Sequence, residues 1–453
     1  MRFRAGIFLS LIGLATCVAA QDTRRVVEPL IPEACATVDA HLQTHGGALA
    51  PGDETKLDTA RIQRAIDHCG EDRAVVLHVD EDKNAFLTGP LQLRHDVTLV
   101  VDMGVTLFAS RDPKLYAVSA GSCGVVNQAA PGCKPLISAD RAPNSGIMGD
   151  GVIDGRGGQK MLGSKYSWWD LAEQARKGGR QQVPRLIVAN DSNNFTLYRV
   201  TLKNSPNFHV VFNHGNGFTV WGVRIDTPQR GARNTDGIDP GNGAKNITIM
   251  NTSIRTGDDN VAIKGGPGGV TDMTVAHSHF YWGHGMSIGS ETQGGVSRIR
   301  VTDLSIDGAD NGLRIKSNGS RGGLVEDVIY DDICIRDSPH PLMFDMAYAD
   351  SGTLTGNSPP SVENVVLHDV RISGGGKISF SGYDHTHRIG ALLNGVQITD
   401  DAKYSYAVSH ADLRLGPDPT NLQLSAGTDS TIQGKPADGT PASCTAMFAP
   451  FPK

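Results

Sequence analysis

The sequence predicts an all-β solenoid, a single-stranded parallel β-helix whose first coil is closed by a capping helix. Two observations carry this. Short segments of alternating apolar and polar residues recur along the chain at intervals of about one coil, as stacked half-buried strands do. Glycine (54 residues) and Asn/Asp punctuate the intervals, and no helical stretch of ten or more residues with 3.6 periodicity interrupts them.

The strands are read in order. Val97–Val101, Val105–Phe108 and Gly151–Ile153 begin the pattern. The repeat is then clearest in the triplets Val200-Thr201-Leu202, Val223-Arg224-Ile225, Thr252-Ser253-Ile254, Leu304-Ser305-Ile306, Ile333-Cys334-Ile335, Val370-Arg371-Ile372 and Val396-Gln397-Ile398, with Ser278-His279-Phe280 a weaker member. Their last residues are 23, 29, 26, 26, 29, 37 and 26 apart, one coil of two or three short strands. A solenoid needs a cap, because its first coil otherwise exposes the core. Thr59 to Cys69 supplies it: Ile62, Ala65, Ile66 and Cys69 fall at i, i+3, i+4 and i+7. The coils are expected to fill residues 21–415. From about Gly416 the pattern gives way to a loop-rich tail, 416–453.

Residues 1–20 have the form of a secretory leader. Arg2 and Arg4 precede an apolar run too short to span a bilayer, and Val18-Ala19-Ala20 is a small-residue cleavage signal. Export is therefore expected, extracellular or periplasmic, with no membrane anchor. Cleavage leaves six cysteines, an even count that suits an exported chain. Cys123 with Cys133 and Cys35 with Cys69 are the expected disulfides; Cys334 and Cys444 either close the C-terminal region or stay free. No cysteine spacing resembles a zinc site. Formal charge moves from −6 to −8 once Arg2 and Arg4 are removed, which argues against nucleic acid as a partner. A local cationic patch can still bind an acidic polymer. The sequons at Asn190, Asn194, Asn246 and Asn251 are read as strand and turn composition.

Four motifs carry chemistry: Asn234-Thr235-Asp236, Gly257-Asp258-Asp259, Gly283-His284-Gly285 and Arg314-Ile315-Lys316. They fall on successive coils, so they become neighbours in space. Glycosidic cleavage needs one carboxyl group as proton donor and another to activate water or attack the sugar. Crowding three carboxylates raises the pKa of at least one. Arg314 and Lys316 alternate around Ile315, so both leave one face of a strand. That pair suits a substrate carboxylate.

In this order and spacing the four motifs resemble those of the polygalacturonases of glycoside hydrolase family 28. The runs Asn204–His209, Arg233–Pro240 and Gly283–Glu291 resemble the bacterial endo-polygalacturonases in particular. The likeness covers about residues 30 to 410. It implies a right-handed β-helix and an inverting hydrolase of α-1,4-linked galacturonate that acts as a monomer, without metal or cofactor. It implies Asp258 as general acid, Asp236 and Asp259 as the groups that activate water, and His284 as keeper of the acid's proton. Arg314, Lys316, Asn234 and Tyr348 are the implied substrate contacts. The tail with Cys444 departs from the bacterial pattern.

Exo-acting polygalacturonase and rhamnogalacturonan hydrolase are the nearest competing readings. A Ca²⁺-dependent pectate lyase, with the aspartates as ligands, and a non-catalytic polysaccharide-binding β-helix are more remote. The absence of a large inserted domain between Cys133 and Tyr348 favours endo attack.

Overall fold

The structure is a computed structural model that describes residues 21–349 and 356–452. The leader and its cleavage point at Ala20 lie outside the described residues. The chain winds into a right-handed parallel β-helix. One ladder of strands forms a 20-stranded sheet and a second ladder an 11-stranded sheet.

The apolar triplets stack as expected. Leu202 pairs with Ile225, then Ile254, Phe280, Ile306, Ile335, Ile372 and Ile398 in unbroken parallel register. All eight are buried. Phe280, from the weakest triplet, takes its place in the row because a larger ring fills the same inward site.

Punctuation by Asn, Asp and Gly has a local cause. In each coil one residue with positive φ bends the ladder, between two short strands at first and inside one longer strand from His277 onward: Arg199, Gly222, Asn251, His277, Asp303, Asp332, Asp369 and Gly395. Neighbouring strand pairs put these eight in register as well. Gly, Asn and Asp adopt this left-handed conformation most cheaply. The sequons belong to similar positions: Asn194, Asn246 and Asn251 have positive φ, and Asn190 accepts a hydrogen bond from Asn213.

The helix Thr59–His68 closes the N-terminal end with Ile62 and Ile66 fully buried. Cys35–Cys69 ties it to the first strand, and Cys123–Cys133 pins a surface loop. The pairing left open in the sequence is made: Cys334 joins Cys444. Beyond Ala411–Leu415 the sheet adds one short strand, Thr431–Gln433. The tail then runs back along the coils. Phe448 lies 4.3 Å from the Arg336 guanidinium, and Phe451 lies 3.9 Å from that of Arg255 and 5.2 Å from the Tyr281 ring. Tyr281 Oη donates to the Ala449 carbonyl at 3.0 Å.

This strap makes a prediction. The Cys334–Cys444 bridge spans 110 residues of sequence. Cys444→Ala is expected to lower stability by about 2–4 kcal/mol, read as a lower midpoint in guanidinium denaturation. An unchanged midpoint would show that Phe448 and Phe451 hold the tail without the bridge.

An eight-residue helix, Trp168–Ala175, stands outside the coils. Ser167 and Asp170 form a capping box at its start, each side chain accepting the other's backbone N–H. Among the described residues no helix is long and apolar enough to cross a membrane.

Candidate active site

The 11-stranded sheet builds the site. Ile187, Val210, Ile238, Val261 and Met286 pair in register across five of its strands. The residues two positions earlier therefore form a row: Arg185, Phe208, Asp236, Asp259 and His284. Each step is one coil, about 4.8 Å. Backbone bonds fix the middle of the row: His209 N to Asp236 O at 2.8 Å and Gly237 N to Asp259 O at 2.8 Å.

Glycines flank the functional groups because the chain has no room there. Gly285 has φ +70°, and a Cβ on it would run into the carbonyls of Asn311 and Gly312. Gly257 is closed off by the Ala232 carbonyl in the same way. Asn260 locks both turns: its amide donates to the Trp282 carbonyl at 3.0 Å and its oxygen accepts from Gly285 N at 2.9 Å.

A cleft of about 680 Å³ brings the sequence-identified residues together. Asp236, Asp258, Asp259, His284, Asn234, Lys316 and Tyr348 line it. Arg314 lies beneath, donating to Tyr348 Oη at 3.1 Å and facing Asp259 Oδ1 at 3.4 Å. Lys316 Nζ is 2.9 Å from Asp259 Oδ2. Ser287 Oγ donates to Asp259 at 2.7 Å. Arg314 and Lys316 do leave the strand face opposite Ile315. They are not open surface cations, however: their side chains are 4% and 7% exposed and already paired with Asp259. Asn234 meets Asp258 through its backbone, N to Oδ2 at 3.2 Å, while its side chain accepts from Gln181.

Protons are sorted unequally among these groups. Burial works to raise Asp259, but Lys316 and Arg314 outweigh it and hold the carboxyl well below the usual range. Burial also opposes ionisation of Asp258; the hydrogen bond and charge of His284, 3.1 Å away, leave it lowered. His284 pays the same desolvation, yet Asp258 and Asp310 raise it to about 10. Asp236 goes the other way. Burial, only partly countered by Lys264 at 3.1 Å, pushes it up to about 7, with Asp258 and Asp259 adding to the rise.

The shift on His284 has a sign that can be checked. Its folded pKa lies above the ordinary 6.5. The stability it contributes is therefore fully present below pH 6.5 and lost as pH rises through about 10. The gap in thermal midpoint between the native protein and His284→Gln should be widest below pH 6.5 and narrow towards pH 10. A constant gap would place the shift elsewhere.

Three features of the site were not singled out in the sequence. Asp239 is buried one residue into its strand, 3.8 Å from Lys264, and burial raises it well above the usual range. Lys264 bridges Asp236 and Asp239. The helix Trp168–Ala175 supplies a wall of the cleft through Trp169, Asp170 and Glu173. Asp239 sits inside the Arg233–Pro240 run; Lys264 and the short helix had no repeating signal.

Asp258, Asp259 and His284 also offer ligand atoms within 4.8 Å of one another, a spacing that would suit a metal. Their chemistry argues for another use. The two ring nitrogens of His284 already face Asp258 at 3.1 Å and Asp310 at 3.5 Å, and Asp259 is already neutralised by two cations.

A parallel β-helix carrying buried carboxylates, an aspartate–histidine pair and a cation pair in one cleft defines a polysaccharide-cleaving glycoside hydrolase. Residues 69–413 match the model of glycosyl hydrolases family 28, and the chain belongs to that family. An endo-polygalacturonase of Pectobacterium carotovorum subsp. carotovorum is 42% identical, over 87% of this chain and 94% of its own. A polygalacturonase of Ralstonia nicotianae is 37% identical, over 94% of this chain and 92% of its own. The solved polygalacturonase of Erwinia carotovora ssp. carotovora superposes with a TM-score of 0.80 at 40% identity, covering 87% of this chain and all of that one.

Proposed function

We propose that this cleft hydrolyses α-1,4-galacturonosidic bonds of polygalacturonate, the acidic backbone of pectin, by internal attack. The observation that carries the reading is geometric: Asp259, paired with Lys316 and Arg314, lies beside an Asp258–His284 pair in contact at 3.1 Å. The pair is the acid. Asp258 gives the proton to the departing glycosidic oxygen, and His284 keeps Asp258 supplied. Asp236 and Asp259 hold the attacking water, which adds its oxygen to the anomeric carbon as its proton passes to Asp259, the carboxyl kept ionised by Lys316 and Arg314. Lys316, Arg314 and Tyr348 hold the carboxylate of the sugar at the scissile bond.

One geometric feature bears on stereochemistry. An oxygen of Asp258 and one of Asp259 lie within 4.8 Å, less than the usual ~6.5–9.5 Å between inverting carboxylates. We nonetheless assign inversion. Asp259 is engaged by Lys316, Arg314 and Ser287, and Asp236 by Lys264. Carboxylates held in this way orient a water better than they attack carbon.

Incubation with unesterified polygalacturonate is expected to release mixed oligomers from the first minutes, without ultraviolet-absorbing unsaturated ends. Only mono- or digalacturonate from the start would mean exo attack; unsaturated products that vanish with chelator would mean a lyase. The same reading makes the chain an exported, monomeric enzyme: residues 1–20 as a leader, 21–415 as the catalytic β-helix, 416–453 as a strap over its side.

A further inference from the structure

A second cavity, of about 390 Å³, adjoins the catalytic cleft on its N-terminal side. Phe208 and Asn234 line both. Arg185 lies two coils before Asp236 in the row described above, roughly 9–10 Å along the stack. The only charged residues lining the second cavity are Arg180 and Arg185. It thus presents two cations and no carboxylate, on a chain of net charge −6.

Arg185 differs from the cations packed around the catalytic carboxylates. Lys264, Lys316 and Arg314 are each neutralised by an aspartate. The guanidinium of Arg185 is half-buried, with neither an ion pair nor a side-chain hydrogen bond among the described residues. It stands 5.1 Å from the Phe208 ring, with Lys264 Nζ 4.9 Å from the same ring. Withdrawing a cation from water without a partner is costly. A fold that keeps one here, at the end of the substrate row, leaves its donors for a ligand.

The cavity is also built to hold its shape. Cys123–Cys133 fixes the loop whose Pro131, Gly132 and Cys133 form one wall. Val125–Val126 and Gln181–Gln182 form an antiparallel pair that brings Gln181 and Gln182 to the lining beside that loop. Gln182 Nε2 donates across to the Asn127 carbonyl at 2.7 Å.

We propose that this cavity is a second carboxylate-reading subsite, in which Arg185 binds a galacturonate unit two coils from the scissile bond through its carboxylate. The inference rests on the galacturonan reading above and adds a distance: the enzyme reads free acid at a fixed separation from the bond it cuts. Arg185 then sets the minimum chain length and the spacing of unesterified units.

Calorimetric binding of galacturonate oligomers of two to six units tests this, with Arg185→Gln placed in an Asp258→Asn background so that little substrate is consumed during the titration. The shortest oligomers should bind the two proteins alike. Once the chain is long enough to reach the cavity, Arg185→Gln should bind about tenfold more weakly or worse, the scale of one charge-assisted hydrogen bond. Arg185→Lys, which keeps charge but loses the planar fork, should fall between. An equal loss at every length would make Arg185 a structural residue, and no loss at any length would leave the cavity without a role; either overturns the inference. Hydrolysis by the native protein is assayed separately. If polygalacturonate is cut yet Arg185→Gln binds normally, only the inference fails. If polygalacturonate is neither bound nor cut, the galacturonan reading fails and the inference with it.

Discussion

Asp258→Asn is expected to lower kcat on polygalacturonate by about 10²–10⁴, the usual worth of a general acid, with KM little changed. The carboxamide is nearly isosteric and can still accept from Asn234 N, now 3.2 Å from Asp258 Oδ2. What disappears is the carboxyl that passes the proton, together with the ion pair to His284. Two further readouts separate this from general damage. The pKa of His284 should fall from about 10, since Asp258 is the foremost group raising it. An oligogalacturonide with a p-nitrophenolate leaving group, which needs little protonation, should lose far less rate than the natural polymer. Equal losses on both substrates would remove Asp258 from the acid's role.

Lys316→Ala carries the second large effect, and its result should be two-sided. Lys316 and Asp259 form a buried pair, with side chains 7% and 2% exposed. Removing the lysine leaves Asp259 with Arg314 alone, at 3.4 Å. Breaking a buried pair by deleting one partner costs about 3–5 kcal/mol. The folded pKa of Asp259 is depressed, so the stability tied to its ionisation is present above its unfolded pKa and lost as pH falls. The cost of Lys316→Ala should accordingly be larger at neutral pH than in strong acid. Adding Asp259→Asn to Lys316→Ala should recover part of the stability, because the buried carboxylate short of a cation is gone although Arg314 then loses its own partner, and none of the activity. If the double variant is no more stable than Lys316→Ala, the pair is not coupled as the geometry requires. On highly methyl-esterified pectin the binding part of the Lys316 loss should shrink, as the substrate charge is masked.

Much of this arrangement was legible in the sequence, for physical reasons. In a parallel β-helix one inward apolar site repeats per coil, so triplets such as Val223-Arg224-Ile225 and Ile333-Cys334-Ile335 stack without knowledge of the structure. Corner residues were visible because few residue types turn left-handed at low cost. The catalytic motifs stood out because glycines and aspartates crowd where the backbone touches the next coil, as at Gly257 and Gly285. The rest depended on contacts without a repeating signal. Asp239 is a single charge inside the strand Ile238–Gly241 and Lys264 one just past the strand Val261–Ile263, and only the pairing of neighbouring coils shows that they neutralise each other. Phe208 falls in the Asn204–His209 run, but Arg185, in the same row as Asp236, has no motif to mark its coil. The wall from Trp168–Ala175 is too short for helical periodicity to betray it. The course of the tail is set by Phe448 and Phe451 meeting arginines far away in sequence.

The anomeric configuration of the first product tests the mechanism most directly. The spacing of Asp258 and Asp259 falls below the range usual for inversion, while the cations and hydroxyl that bind Asp259 and Asp236 disfavour either as a nucleophile. Proton NMR of the first product released from the α-linked polymer, recorded before mutarotation, decides between them. Water held by Asp236 and Asp259 attacks once and inverts, so the new reducing end should appear as the β-anomer. An initial α-anomer would require a covalent glycosyl-aspartate and contradict the mechanism.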